Sequence, residues 1–144
     1  MKIKVLSSQE GYNLLADYYA GKERYWDSFE KDKVLSLLGD IKGKKILDVG
    51  AGNGRLVGRL VDKGAEVTAL DVSEEMLKKI KNKNVEKVIG EAEDLPFAED
   101  SFDVVIATFL IVHLKDLKRF FDEVYRVLKP NGLFLVTNIN QRRS

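Results

Sequence analysis

The sequence has no cysteine, a single histidine, one tryptophan and only two prolines in 144 residues. Without thiols, neither a disulfide nor a thiolate zinc site can form. One histidine is too few for an all-protein metal cage, and no metal is expected. Long apolar runs are missing as well. None approaches the ~20 residues that a membrane span requires, and the apolar start, MKIKVL, is too short for the hydrophobic region of a secretory signal. The expectation is a soluble, cytoplasmic protein with no membrane contact. Charge of one sign is also lacking: 24 basic and 23 acidic side chains leave a formal net charge of +1. That balance gives no electrostatic footprint for nucleic acid or for an anionic membrane surface, while leaving room for a local patch. There are no repeats, low-complexity tracts or Gly/Ser/Pro linkers, and the length suits one domain, 1–144, with a single core.

What is present is charge of both signs, 33% of residues, rich in Lys and Glu. With so few prolines, the mix is compatible with a heat-adapted protein. Residues 1–40 read as helices, because GYNLLADYY and RYWDSFEKDKVLSLLG place apolar residues at three- and four-residue intervals. Tyr12, Tyr18, Tyr19, Tyr25, Trp26 and Phe29 exceed what one helix stripe needs.

From Lys44 the pattern alternates. KKILDVG, EVTALDV, VEKVIGEA, SFDVVIATFLIV and LFLVTNI read as five strands. Between them GNGRLVGRLVDKG reads as a helix with a glycine C-cap, and SEEMLKKIKN as one capped by Ser73 with acids in its first turn. LKDLKRFFDEVYRVLK reads as an amphipathic helix stopped by Pro130-Asn131-Gly132. Alternating strands and helices imply right-handed crossovers and a doubly wound α/β fold, Rossmann-like and mostly parallel, with helices on both faces of a core at 44–139.

In such a sheet the ligand sits at the carboxyl ends of the strands, beside the first one. Here that place holds Gly50, Gly52 and Gly54 in DVGAGNGR. Asp71 closes the second strand about twenty residues later, where a carboxylate can accept both hydroxyls of a ribose. An adenosine-containing ligand is the first expectation; a glycine turn with no ligand is the plainer alternative. Dinucleotides call for G-x-G-x-x-G, whereas here the third glycine comes one residue early and position 55 is Arg. An acid within the loop, Asp48, would repel a pyrophosphate and suits a cationic ligand. Spacing and charge both favour S-adenosylmethionine over NAD.

LDVGAGNGR, ALDVSEEML, GEAEDLPFAEDSFDVVIA, HLKD and EVYRVLKPNG together resemble the class I S-adenosylmethionine-dependent methyltransferases. The resemblance is closest to the subgroup that includes the ubiquinone/menaquinone biosynthesis methyltransferases, and it runs from about Lys44 to Ile139. It implies that S-adenosylmethionine binds without metal and leaves as S-adenosylhomocysteine. Asp48 and the backbone of Gly50, Ala51, Gly52, Asn53 and Gly54 would surround the methionine end. Asp71 would hold the ribose, and Val72 with Met76 would pack on adenine. Glu91, where the family usually has Asp, would accept from the adenine amino group beside the Ala92 backbone. Thr108 and Phe109 would lie by the sulfonium. His113, matching the second histidine of an L-H-H-V-x-D pattern, is a weak catalytic candidate whose other reading is capping or packing. Tyr12 and Tyr19 match an aromatic lid pattern over the substrate, with helix packing as the other reading.

Methyl transfer from a sulfonium is an in-line displacement, so a base is needed only if the acceptor must lose a proton. No Asn-Pro-Pro-Tyr signature is present, which argues against nucleobase amines and certain glutamines and leaves a small-molecule acceptor. The resemblance also implies strands six and seven, yet the chain stops at NINQRRS. LFLVTNI is therefore expected to expose an unpaired edge that a homodimer mate or another chain could cover, unless the sequence is a fragment. A partner-dependent or non-catalytic cofactor-binding subunit is the alternative function.

Overall fold

The computed structural model describes residues 2–5, 32–108 and 114–137. Its strands are β1 (Lys2–Val5), β2 (Lys45–Val49), β3 (Glu66–Asp71), β4 (Glu86–Ile89), β5 (Phe102–Thr108) and β6 (Leu128–Thr137). Among them lie α1, described over 32–38, and then α2 (Val57–Asp62), α3 (Glu74–Lys78) and α4 (Leu117–Val127). The sheet order is β1-β6-β5-β2-β3-β4, with every pairing parallel. From β2 the chain steps outward through β3 and β4, then returns to β5 on β2's other side. That reversal makes the switch point at which such sheets open a ligand crevice.

The central strands β2, β3, β5 and β6 are apolar on both faces because both faces are covered. Ile46, Ala69, Val104, Ile106 and Leu135 form one core with Val34 and Leu38 of α1, Val57 and Leu60 of α2, and Leu77 of α3. Leu47, Val49, Val105, Ala107, Phe134 and Val136 form the other with Phe120, Val124 and Val127 of α4. Strand residues alternate between the two clusters with period two, as pleating requires. At the amino ends of the strands, Asp103 accepts from the Lys45 N–H at 2.9 Å and pairs with Lys129 at 3.4 Å. The Lys45 amide, and after it Lys129, hold this carboxyl below its ordinary range.

The five expected strands are present as β2–β6, and three details differ from expectation. The edge of LFLVTNI is paired: β1 lies parallel along it, from Lys2 opposite Leu133 to Val5 opposite Val136. The expectation that a second copy or a partner chain covers this edge is thereby corrected, because the chain's own KIKV segment takes the hydrogen bonds. Lysine alternating with β-branched residues suits an edge strand. The helix before Pro130 ends at Val127, with Leu128 already extended at φ −76°, ψ 137°. β6 then runs irregularly: its register with β5 shifts between Phe102 and Val104, and Asn131 takes φ +65°. A Cβ at Gly132 would meet the Lys129 carbonyl oxygen at 2.8 Å, so glycine is required at this kink. Finally, α2 starts only at Val57, after turns over 52–56. It is followed by Gly64 at φ +87°, as a glycine C-cap requires.

Ile3→Pro would remove an amide and constrain the edge strand. Amide hydrogen exchange over Leu133–Val136 should accelerate while β2 and β3 keep their protection. Unchanged protection in β6 would show that β1 does not hold this edge.

Candidate functional site

The carboxyl ends of β2, β3, β4 and β5 surround two hollows that meet at Gly50. The turn leaving β2 places Gly50, Gly52 and Gly54 at φ +73°, +59° and +82°, a region in which L side chains are strained. Backbone bonds fasten this turn to β3: the Leu70 carbonyl accepts from the Gly50 N–H at 2.8 Å and from the Ala51 N–H at 3.0 Å. Asp71 adds a clamp. Its Oδ2 accepts from the Gly52 N–H and its Oδ1 from the Ser73 N–H, each at 2.9 Å. Ser73 caps α3 as expected, its hydroxyl accepting from the Met76 N–H at 3.2 Å.

The larger hollow, about 310 Å³, is bordered by Gly50, Leu70, Asp71, Val72, Gly90, Glu91, Ala92, Glu93, Leu114 and Lys115. Val72 is 68% exposed there, an apolar surface left bare at a strand end and suited to stacking a flat ring. The smaller, about 170 Å³, is bordered by Asp48, Gly50, Ala51, Gly52, Asn53, Arg55, Leu56, Met76 and Thr108. Asp48 is 2% exposed in β2, and the Arg55 guanidinium donates to Thr108 Oγ1 at 3.3 Å.

Most of the sequence candidates therefore converge. Asp71, Val72, Glu91 and Ala92 border one hollow, Asp48, Ala51, Gly52, Asn53 and Thr108 the other, and Gly50 both. Met76 is separated from Val72: it borders the smaller hollow, with its Cε 3.5 Å from where a Gly52 Cβ would stand. Gly54 borders neither hollow; a Cβ there would lie 2.6 Å from Ile80 Cγ1, so its requirement is packing against the end of α3. Tyr12, Tyr19, Phe109 and His113 lie outside the described residues. Arg55, Leu114 and Lys115 are wall residues that the sequence reading did not select. Only Arg55 carried a signal, as the side chain directly after the third glycine.

The wall carrying Glu91 and Ala92 is an irregular connection held down by α4. Arg126 donates to the carbonyl oxygens of Phe97 (2.6 Å) and Leu95 (2.8 Å) and to Glu123 at 3.0 and 2.9 Å. Glu123 in turn accepts from the Leu95 N–H at 2.7 Å, and Arg119 donates to the Glu93 carbonyl at 2.8 Å. Arg126 holds the Glu123 carboxyl below its ordinary range, and Glu123 raises Arg126.

The chemistry of these residues fits an adenosyl sulfonium ligand. Asp71 keeps acceptor capacity beyond its two backbone bonds, since an ionised carboxylate offers about four lone-pair sites. Asp48 places a buried acid at the smaller hollow. No group of acids and histidines among the described residues could hold a metal. Nor is any described helix long and apolar enough to cross a membrane.

A parallel sheet with a glycine turn beside its switch point, and an acid closing the next strand, defines a Rossmann-like α/β domain. Residues 47–136 match the family described as "Methyltransferase domain", and the chain belongs to that family. It is 34% identical over 122 residues to the demethylmenaquinone methyltransferase of Renibacterium salmoninarum, covering 83% of this chain and 50% of that one. It is 33% identical over 141 residues to a ubiquinone/menaquinone biosynthesis C-methyltransferase of Cereibacter sphaeroides, covering 90% and 55%. Among solved structures, the SAM dependent methyltransferase of Aquifex aeolicus superposes with a TM-score of 0.63 at 31% identity, covering 69% of this chain and 58% of that one. The chain thus spans about half the length of the curated relatives it matches.

Three substitutions probe the scaffold around the hollows. Glu123→Gln should cost about 1.5–3 kcal/mol at neutral pH, the range for a hydrogen bond to a charged group. Because the folded carboxyl titrates below the unfolded value of about 4.3, this stabilisation is complete above that pH and disappears as pH falls through the lowered value. Urea unfolding of both proteins should show the gap closing in acid. Gly54→Ala should destabilise by about 2 kcal/mol or more, through the positive φ and the Ile80 contact. Gly58→Ala, in α2 with open space around a Cβ, should instead stabilise by about 0.5–1 kcal/mol.

Proposed function

We propose that this chain is the cofactor-binding part of an S-adenosylmethionine-dependent methyltransferase acting on a small organic acceptor. The observation that carries the reading is the pair of joined hollows at the carboxyl edge, with Asp71, Val72 and Glu91 around one and Asp48 and Thr108 around the other. Membership of the methyltransferase family and the quinone-methylating names of the relatives support it.

In this reading Asp71 accepts from the ribose hydroxyls while its backbone bonds keep the carboxylate aimed at them. Val72 covers one adenine face, and Glu91 accepts from the exocyclic amine beside Ala92. Asp48 balances positive charge at the methionine end. The bound cofactor supplies an electrophilic methyl group and a neutral thioether leaving group. The chain's own contribution is orientation and exclusion of water, which bring the acceptor in line with the carbon–sulfur bond. Thr108, at the end of β5, borders the smaller hollow, and in this reading the two meet beside it. An acceptor that need not lose a proton during attack, such as a neutral amine or an enolate, needs no base from the protein.

Isothermal titration with S-adenosylmethionine should show one site per chain. Asp71→Ala should weaken it by about tenfold or more, because a charged hydrogen-bond acceptor is lost. A folded wild-type chain that binds nothing at millimolar cofactor would refute the proposal. Labelled-methyl transfer screened against small-molecule pools would then identify the acceptor.

A further inference from the structure

A cleft of about 520 Å³ lies at the other edge of the sheet, where Lys45, Glu66 and Glu86 begin β2, β3 and β4. Pleating and register place three acceptors on one face there. Glu66 and Thr68 are two residues apart in β3, so their side chains share a face. Thr68 stands opposite Glu86 across the β3–β4 pairing. Leu70 continues the same row into the core beneath α4. The connection from β4 to β5 contains no helix and leaves this end of the face open.

Thr68 distinguishes the cleft from an ordinary solvated rim. It is only 8% exposed, yet its hydroxyl has no hydrogen-bond partner among the described residues. A buried hydroxyl left without a partner is costly, and this one borders the cleft. Glu66 and Glu86 pair with no described cation either. Lys45 is opposite Glu66 in register, but its amide is spent on Asp103 and its ammonium pairs with neither acid. Two carboxylates and a hydroxyl offer three neighbouring acceptors, and a primary ammonium carries three donors. Phe97 and Phe102, edge to face with centroids 5.0 Å apart, wall the same cleft. Aromatic rings attract both apolar carbon and a cation. An anionic ligand would meet both acids, and a wholly apolar one would leave Thr68 unpaired.

We propose that this cleft is a second ligand site, which takes a small primary alkylammonium compound with an apolar or aromatic body. Glu66, Thr68 and Glu86 receive the ammonium, while Phe97 and Phe102 flank the carbon portion. The site is separate from the hollows at the glycine turn. Glu66 and Asp71 stand at the two ends of β3, about 16 Å apart at roughly 3.3 Å per residue. A ligand here does not touch the cofactor, so the assignment stands apart from the methyltransferase reading.

The experiment is an amide chemical-shift titration by NMR with phenethylamine, its uncharged analogue phenethyl alcohol, and the anion phenylacetate. Phenethylamine should shift the amides of Glu66, Thr68, Glu86, Phe97 and Phe102 and leave those of Gly50, Gly52 and Gly54 in place. The alcohol should bind about tenfold more weakly, and phenylacetate should not bind. Glu66→Gln, Glu86→Gln and Thr68→Val should each weaken the amine about tenfold, the lower end for a hydrogen bond to a charged group. Both acids are exposed, so their glutamine variants keep the fold, as unchanged amide shifts in β2 and β5 should confirm. Lys45→Met removes the nearest competing cation and should tighten binding about two- to fivefold. Equal affinity for the amine and the alcohol would reduce the cleft to an apolar pocket and overturn the proposal. So would amine binding that both glutamine variants leave unchanged, or shifts spread equally over distant acids such as Glu74 and Glu75. The absence of any response at millimolar amine would overturn it as well.

Discussion

The site depends on the Asp71 carboxylate, which holds the glycine turn with one oxygen and the start of α3 with the other. Three glycines within five residues give the turn its left-handed geometry, and glycine loses more backbone freedom on ordering than any other residue. Something must offset that loss. Bonds from backbone amides to a carboxylate, worth about 1.5–3 kcal/mol each, are strong enough to do so. The Leu70 carbonyl adds two neutral bonds to the same turn. The acid closing β3 is thus structural before any ligand arrives, and it also borders the larger hollow. A ribose bound there would meet a carboxylate already oriented by covalently distant backbone, which lowers the ordering cost of binding.

The opposite wall has a different physical basis. The connection from β4 to β5 contains no helix, so its backbone polar groups need partners from elsewhere. α4 provides them. The Arg126 fork takes two carbonyls, Glu123 takes an amide, and the two side chains hold each other. Below this polar surface, Phe120 and Val124 bury the opposite stripe of the helix against the sheet. GEAEDLPF and EVYRVLK are separated by some two dozen residues of sequence, yet they form one unit: the helix is the frame and the loop is the part that faces a ligand.

The fold was legible wherever physics acts over a whole segment. Apolar runs bounded by turns gave β2 to β6, and Ser73 with two following acids gave the start of α3. β1 was not legible, because the alternation in KIKV spans only four residues, and their role depends on an edge supplied more than a hundred residues away. Helix ends were misjudged where the backbone outweighed propensity. GNGR belongs to the turn, not to α2, since its glycines adopt positive φ. Site residues were legible when their chemistry was unusual for their place, as with Asp48 in an apolar strand. Met76 and Gly54 show the limit of that logic. The sequence reading paired Met76 with Val72 and put Gly54 in the turn, but only packing reveals that Met76 borders the smaller hollow and Gly54 clears space for Ile80.

The same hydrogen bonds also bear on which nucleoside ligand the turn suits. A pyrophosphate is bound by backbone N–H groups that a glycine loop leaves pointing at it. Here the amides of Gly50 and Ala51 donate to Leu70, that of Gly52 donates to Asp71, and that of Gly54 donates to Ala51. Four of the five amides from Gly50 to Gly54 are therefore engaged within the protein. Acids stand on both sides of the turn, at Asp48 and Asp71. A dinucleotide would have to break those bonds and place its phosphates between two carboxylates. A phosphate-free adenosyl ligand needs neither change, because it asks the turn for shape and the flanking acids for acceptors. The early third glycine, read from sequence as a spacing mismatch, has this structural counterpart: the turn closes on its own strand ends, with its amides engaged within the protein and Asp48 and Asp71 flanking it.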